Sequence, residues 1–178
     1  QPVVGADLIR ADLTKMIDAV EWVRRYTLEG MKAGKDVHAL MRDLAMPKDL
    51  AIGEFHGTAR WAVKSIWREY AGWFHYEDGT TELYGVPRRS VHSDIAALAG
   101  GAGKLSARAR QRLDAGEPLE ALHLVEIALN AQPDERAALE VKRDASALLL
   151  ERSGGQNLSE PMWLRSELAE TEAAELHE

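Results

Sequence analysis

Apolar residues recur at steps of three and four positions through most of this chain. That spacing places them on one face of an α-helix, which has 3.6 residues per turn. The longest such pattern covers residues 7–33 and contains Ile9, Leu13, Met16, Ile17, Val20, Val23 and Thr27. Asp7 is expected to cap this helix, and Gly34 is expected to end it in a left-handed conformation. We therefore predict a long first helix with one apolar face.

The same spacing predicts further helices along the chain. Asp36 is expected to cap a short helix that stops before Pro47, because a helix ends at or before the residue preceding a proline. The later helices are predicted at residues 58–70, 91–99 and 134–151, and in a last segment that Ser159 caps. The predicted buried side of the helix at 58–70 consists of Ala62, Val63, Ile66, Trp67 and Tyr70.

Four residues in the second half of the chain have the spacing of a tetratricopeptide-type helical hairpin: Gly116, Ala121, Ala128 and Pro133. The glycine ends one helix, and the proline stops the next. The two alanines lie seven residues apart on one helix face, where small side chains allow two helices to approach closely. An ordinary antiparallel helix pair with the same spacing is the alternative.

Residues 71–89 interrupt the helical pattern with three glycines, a proline and four aromatic residues. The dipeptide Asp78-Gly79 predicts a turn. A loop this rich in aromatic residues is expected to pack against a neighbour or over a site. The fold class predicted for the whole chain is all-α: a helical bundle with a tetratricopeptide-like hairpin and an irregular aromatic loop.

Composition excludes several classes of function. The chain has 178 residues and a net charge of −7, which argues against general binding of nucleic acid. It has no cysteine, so disulfides, thiolate metal sites and cysteine nucleophiles are excluded, and the compartment, cytoplasmic or periplasmic, stays open. No apolar run is long enough to cross a membrane. Because the chain begins at Gln1 rather than methionine, we expect it to be a piece of a longer protein.

The histidines offer one candidate binding site and no metal site. Six histidines are scattered along the chain, and no two have metal-ligand spacing on one helix. His56-Gly57-Thr58 stands where a helix is predicted to begin, and free backbone N–H groups at such an end favour an anion. His56 could present its imidazole to a sulfate, phosphate or carboxylate there. The alternative is a plain helix start at which an aromatic residue packs.

Trp61, Trp67 and Trp73 recur at intervals of six residues. Large aromatic side chains contribute much of a small domain's buried area, so Trp67 and Trp73 fit a role in the core beneath the loop. The second interpretation is an aromatic-lined channel for an alkyl chain.

The segment of residues 55–74 resembles a segment of the alkylsulfatases of the metallo-β-lactamase superfamily. In that family a Tyr-Gly-Thr/Ser sequence precedes a helix that ends in Tyr-Leu-Gly-Trp-Phe. The residues that match this end are Tyr70, Gly72, Trp73 and Phe74. Farther on, residues 99–101, residues 107–133 and Trp163-Leu-Arg165 resemble the rest of the family's helical dimerisation domain. His56 stands where the family has tyrosine.

This resemblance implies a division of the chain at residue 46. Residues 1–46 would link a metallo-β-lactamase domain to the dimerisation domain at 47–178. The parent protein would use two zinc ions to hydrolyse a sulfate ester, whereas this chain would contain neither the metal site nor any cofactor. The implied partners are a second copy of the chain and the parent's metallo-β-lactamase domain, with residues 107–132 at the subunit interface.

In this interpretation the chain is a non-catalytic dimerisation and substrate-lid region. His56, Gly57 and Thr58 would contribute to the substrate site, and Trp61 and Trp73 would shape an apolar path. The alternative function is a free-standing tetratricopeptide-like adaptor that binds a partner peptide. Such an array needs at least three stacked repeats, and the sequence supports about one and a half.

Overall fold

The computed structural model describes residues 3–74 and 79–176. In these ranges the chain consists of α-helices, two short 3₁₀ segments (Thr80–Leu83 and Arg88–Val91) and connecting loops, without a strand. The all-α prediction is therefore confirmed for the described residues. Two compact units divide the chain, Gln1–Glu77 and Asp78–Glu178. Because Asp78 lies outside the described ranges, the turn predicted at Asp78-Gly79 falls partly beyond them.

The first unit contains α1 (Ala6–Lys32), α2 (Val37–Asp43) and α3 (Ala59–Ala71). Asp7 lies in the first turn of α1 and does not cap it; Gly5 precedes the helix without a side-chain cap, so the cap prediction was wrong. Gly34 has φ +70°, as its predicted left-handed role requires. The Asp36 carboxylate caps α2 by accepting the Ala39 N–H at 2.9 Å, and this hydrogen bond lowers the pKa of Asp36.

The three helices of the first unit pack around the buried side chains of Val23, Leu40, Leu44 and Val63. A close contact between α1 and α2 depends on Gly30, because a Cβ at this position would lie 2.3 Å from Cδ2 of Leu40. This core covers only the C-terminal half of α1. The large apolar residues between Ile9 and Val20 are exposed in the unit, whereas the small Ala19 among them is buried.

The second unit contains α4 (His92–Leu98), α5 (Ala102–Asp114), α6 (Pro118–Ala131), α7 (Arg136–Arg152) and α8 (Ser159–Leu176). The helix expected to start at Asp134 begins two residues later, because the Glu135 N–H bonds to the carbonyl of Gln132 and closes a turn. At the start of α8 the Asn157 side chain accepts the N–H of Ser159 at 3.0 Å.

Alanines allow the helices of the second unit to approach one another closely. Ala109, Ala121, Ala128, Ala138 and Ala145 are completely buried. Gly116 has φ +81° and turns the chain between α5 and α6, as the sequence spacing predicts. The hairpin is therefore confirmed, whereas its tetratricopeptide-like character stays a prediction.

Neighbouring alanines in α7 provide a matched test of this packing. Ala138 is completely buried, and Ala137 is exposed. We expect Ala138→Leu to lower the free energy of unfolding by about 1–3 kcal/mol, because added methylenes must displace close-packed neighbours. Ala137→Leu should change it by less than about 0.5 kcal/mol. Urea denaturation followed by circular dichroism measures both; equal effects of the two variants would contradict the packing argument.

Candidate functional site

An open groove with a volume of about 380 Å³ lies in the first unit, between α1, α3 and the segment that precedes α3. Most of its lining side chains are apolar, which suits an apolar ligand better than a charged one. The lining residues are Met16, Ala19, Val20, Val23, Met46, Ile52, Gly53, Glu54, Phe55, His56, Gly57, Thr58, Ala59, Ala62 and Ile66.

Two side chains from the segment before α3 bond to the backbone at the start of that helix. Thr58 is the N-cap residue, and its Oγ1 accepts the Trp61 N–H at 3.3 Å. Glu54 Oε1 accepts the Ala59 N–H at 2.8 Å. These hydrogen bonds satisfy N–H groups that have no partner within the helix. They also hold residues 54–58 along the edge of the groove.

The Glu54 carboxylate occupies the electropositive end of α3. A helix N-terminus attracts negative charge, so this position is where an external anion would otherwise bind. An anionic ligand at the Ala59 N–H would have to displace Glu54. The sequence prediction of an anion at this helix start stays a prediction, and the groove beside it is predominantly apolar.

The structure brings together three of the residues predicted for the site. His56, Gly57 and Thr58 are consecutive and all line the groove. Trp61 does not line it; its ring lies against Gly57, where an added Cβ would be 3.3 Å from Cε3 of the indole. Trp73 is 72% exposed and lies outside the lining.

The sequence interpretation missed the wall of the groove that α1 provides. Met16, Ala19, Val20 and Val23 form this wall, and Phe55 from the segment before α3 also lines the groove. The apolar periodicity of α1 was a signal that these residues share a face, although it does not say which segment they meet. No sequence pattern pointed to Glu54, because its hydrogen bond at the start of α3 is made to a backbone N–H five residues away.

Metal-ligating residues do not cluster in the described residues: no group of three or more His, Cys, Asp or Glu side chains there could hold an ion. Among the same residues, no helix is both long and apolar enough to cross a membrane.

Comparison with known proteins gives a consistent picture. A family model described as alkyl sulfatase dimerisation matches residues 37–171. A linear primary-alkylsulfatase of Pseudomonas sp. (strain ATCC 19151) is 26% identical over 147 residues, which are 80% of this chain and 28% of that protein. A linear primary-alkylsulfatase of Pseudomonas sp. is 25% identical over 164 residues, which are 90% of this chain and 23% of that protein.

Solved structures share the fold. The stereoselective inverting sec-alkylsulfatase Pisa1 from Pseudomonas sp. superposes with a TM-score of 0.79 at 21% identity, over 94% of this chain and 27% of that one. A double mutant of the sec-alkyl sulfatase PisA1 superposes with a TM-score of 0.78 at 22% identity, over 98% of this chain and 27% of that one. This chain thus spans about a quarter of the length of these relatives. The matches give no support to a tetratricopeptide adaptor.

The role of Glu54 can be tested by removing its charge. We expect Glu54→Gln to lower the free energy of unfolding by about 0.5 kcal/mol at low salt, because an amide interacts less favourably with the positive end of α3. Glu69→Gln, near the opposite end of the same helix, should not destabilise the chain. Urea denaturation at low and high salt measures both, and the Glu54→Gln effect should shrink as salt screens the charge. Equal losses for the two variants would refute the assignment.

Proposed function

The chain belongs to the alkyl sulfatase dimerisation family, and from this membership we propose that it is the non-catalytic helical dimerisation and substrate-lid region of a longer alkylsulfatase-like hydrolase. The match over residues 37–171 is the observation on which the proposal rests. Two relatives are named as linear primary-alkylsulfatases, and this chain matches only 28% and 23% of their lengths, which supports a larger sulfatase as the parent protein.

In the proposed parent, residues 1–46 link a metallo-β-lactamase domain to the dimerisation domain at 47–178. Zinc bound by the parent's metallo-β-lactamase domain would activate water for hydrolysis of a sulfuric ester. This chain would supply no metal ligand and no catalytic residue. Its contribution would be to pair two subunits and to form part of the wall around the substrate.

The groove fits the alkyl part of such a substrate better than its sulfate group. Its lining is mostly apolar, and Glu54 already occupies the helix end that would attract an anion. We therefore propose that an alkyl chain lies between α1 and α3, while the sulfate is held outside this chain. His56, Gly57 and Thr58 would border the bound alkyl chain, with Trp61 supporting Gly57 from behind.

Self-association is the first expected outcome. The purified chain should form dimers at concentrations of tens of micromolar, an order-of-magnitude range for weak association. The reason is that removing the exposed apolar side chains of α1 from water is favourable in free energy. Sedimentation equilibrium over a range of concentrations measures the dissociation constant. A chain that stays monomeric throughout that range would argue against the dimerisation role.

Alkyl binding is the second expected outcome. Across 1-hexanol, 1-heptanol and 1-octanol, each added methylene should lower the dissociation constant by up to about fourfold, the equivalent of ~0.8 kcal/mol per buried methylene. Chemical-shift changes of backbone amides should cluster at residues 52–62. Ala62→Phe fills the groove and should weaken binding, whereas Ala71→Phe makes the same change at the exposed end of α3. Equal binding by both variants, or no dependence on chain length, would exclude the groove as the site.

A further inference from the structure

One line of residues runs along the whole of α1 with alternating steps of four and three. Its members are Ile9, Leu13, Met16, Val20, Val23, Thr27 and Gly30. This is the spacing of the a and d positions of a heptad repeat, by which one helix packs against another along a seam. The line is longer and more regular than is needed to attach α1 to a single neighbouring helix.

Only half of this line is covered in the unit. Val23, Thr27 and Gly30 are buried by the packing of α2 and α3. The preceding four positions are bare, with exposed fractions between 43% for Ile9 and 57% for Val20. The same seam is therefore buried at its C-terminal end and exposed at its N-terminal end, where Met16 and Val20 also line the open groove. We call the four exposed residues, Ile9, Leu13, Met16 and Val20, the α1 stripe.

We propose that the α1 stripe packs antiparallel against the α1 stripe of a second copy of this chain. The inference rests on the proposed dimerisation role and locates the contact that produces it. It places that contact N-terminal to residues 37–171, which the family model matches.

The hairpin of α5 and α6 offers much less apolar surface for a dimer. Its small residues are buried in the second unit, and Leu122, Leu124, Ile127 and Leu129 pack against the same core. By contrast, α1 has more exposed large apolar side chains than any other helix of the described residues. A stripe with heptad spacing fits a helix of the same spacing, and the second copy supplies one.

An antiparallel arrangement fits the stripe and its surroundings. In a parallel pair, α2 and α3 of both copies would cover the shared seam at the same end. In an antiparallel pair centred between Thr14 and Lys15, Ile9 lies level with Val20 of the second copy and Leu13 lies level with Met16. Each of the four side chains then meets another of the four. In this register Asp12 lies within one turn of Lys15 of the second copy, which brings opposite charges together on one flank.

The entropic cost of forming this interface is reduced because α1 is already a helix anchored in the core of the first unit. Val23 and Thr27 fix the C-terminal half of the helix in the core of the unit. The N-terminal half continues the same helix, so pairing orders side chains and little backbone. Two heptads of contact are consistent with the weak dimer that the proposed function predicts.

A charge placed in the stripe tests the proposal. Leu13→Glu should raise the dimer dissociation constant by about tenfold or more, because pairing would bury an uncompensated carboxylate. Ala11→Glu adds the same charge to the opposite, exposed face of the same helix and should leave the constant nearly unchanged. Sedimentation equilibrium gives the constants, and circular dichroism checks that both variants stay helical. A dimer that Leu13→Glu does not weaken would overturn the inference but leave the dimerisation role intact. If the unsubstituted chain is itself monomeric, both are overturned.

Single cysteines test the orientation, since the chain has none of its own. In the antiparallel register, a mixture of Ile9→Cys and Val20→Cys chains should form a mixed disulfide under mild oxidation. Ile9→Cys alone should not, because the two positions would lie about 16 Å apart along the helices, beyond the reach of a disulfide. Efficient cross-linking of Ile9→Cys to itself would indicate a parallel pair and overturn the proposed arrangement. Ala11→Cys serves as the control for random collision.

Discussion

The apolar line of α1 must be covered, and this requirement organises the first unit. α2 and α3 cover its C-terminal half, and the closest contact depends on Gly30, where Leu40 leaves no room for a side chain. N-terminal to Val23, α2 and α3 no longer cover α1 completely, and the groove opens between α1 and the segment before α3. Farther toward the N-terminus the line is bare. A core, a groove and an exposed stripe thus lie along one helix, and Met16 and Val20 belong both to the groove wall and to the stripe.

The start of α3 explains the chemical character of the groove. A helix N-terminus beside a cavity favours an anion, yet here the Glu54 carboxylate already accepts the first free N–H. The Thr58 hydroxyl accepts the Trp61 N–H, so two N–H groups of this first turn have acceptors within the chain. What remains facing the groove is mostly aliphatic. This separation of charge from apolar surface suits a ligand whose polar group is bound elsewhere, as in the proposed lid of an alkylsulfatase.

The candidate site shows where sequence reasoning succeeds and where it stops. His56, Gly57 and Thr58 are adjacent in sequence, so a prediction that they act together needed only a correct helix start, and Thr58 is the N-cap residue. Trp73 shares the spacing of the other tryptophans but lies on the exposed surface of the unit. Spacing alone does not say which face of α3, or which loop beyond it, the groove adjoins. The α1 wall and Glu54 required knowledge of contacts between segments distant in sequence.

The sequence by itself determined the helices, most of their ends and the hairpin turn at Gly116, because periodicity, caps and glycine conformations are local properties of the chain. It also contained the resemblance to the alkylsulfatases. Only the tertiary structure decided that the periodic face of α1 is half buried and half exposed, and that the Glu54 carboxylate accepts a backbone N–H at the start of α3. Burial depends on which segments meet in space, and a pattern of apolar positions specifies a face without specifying what covers it.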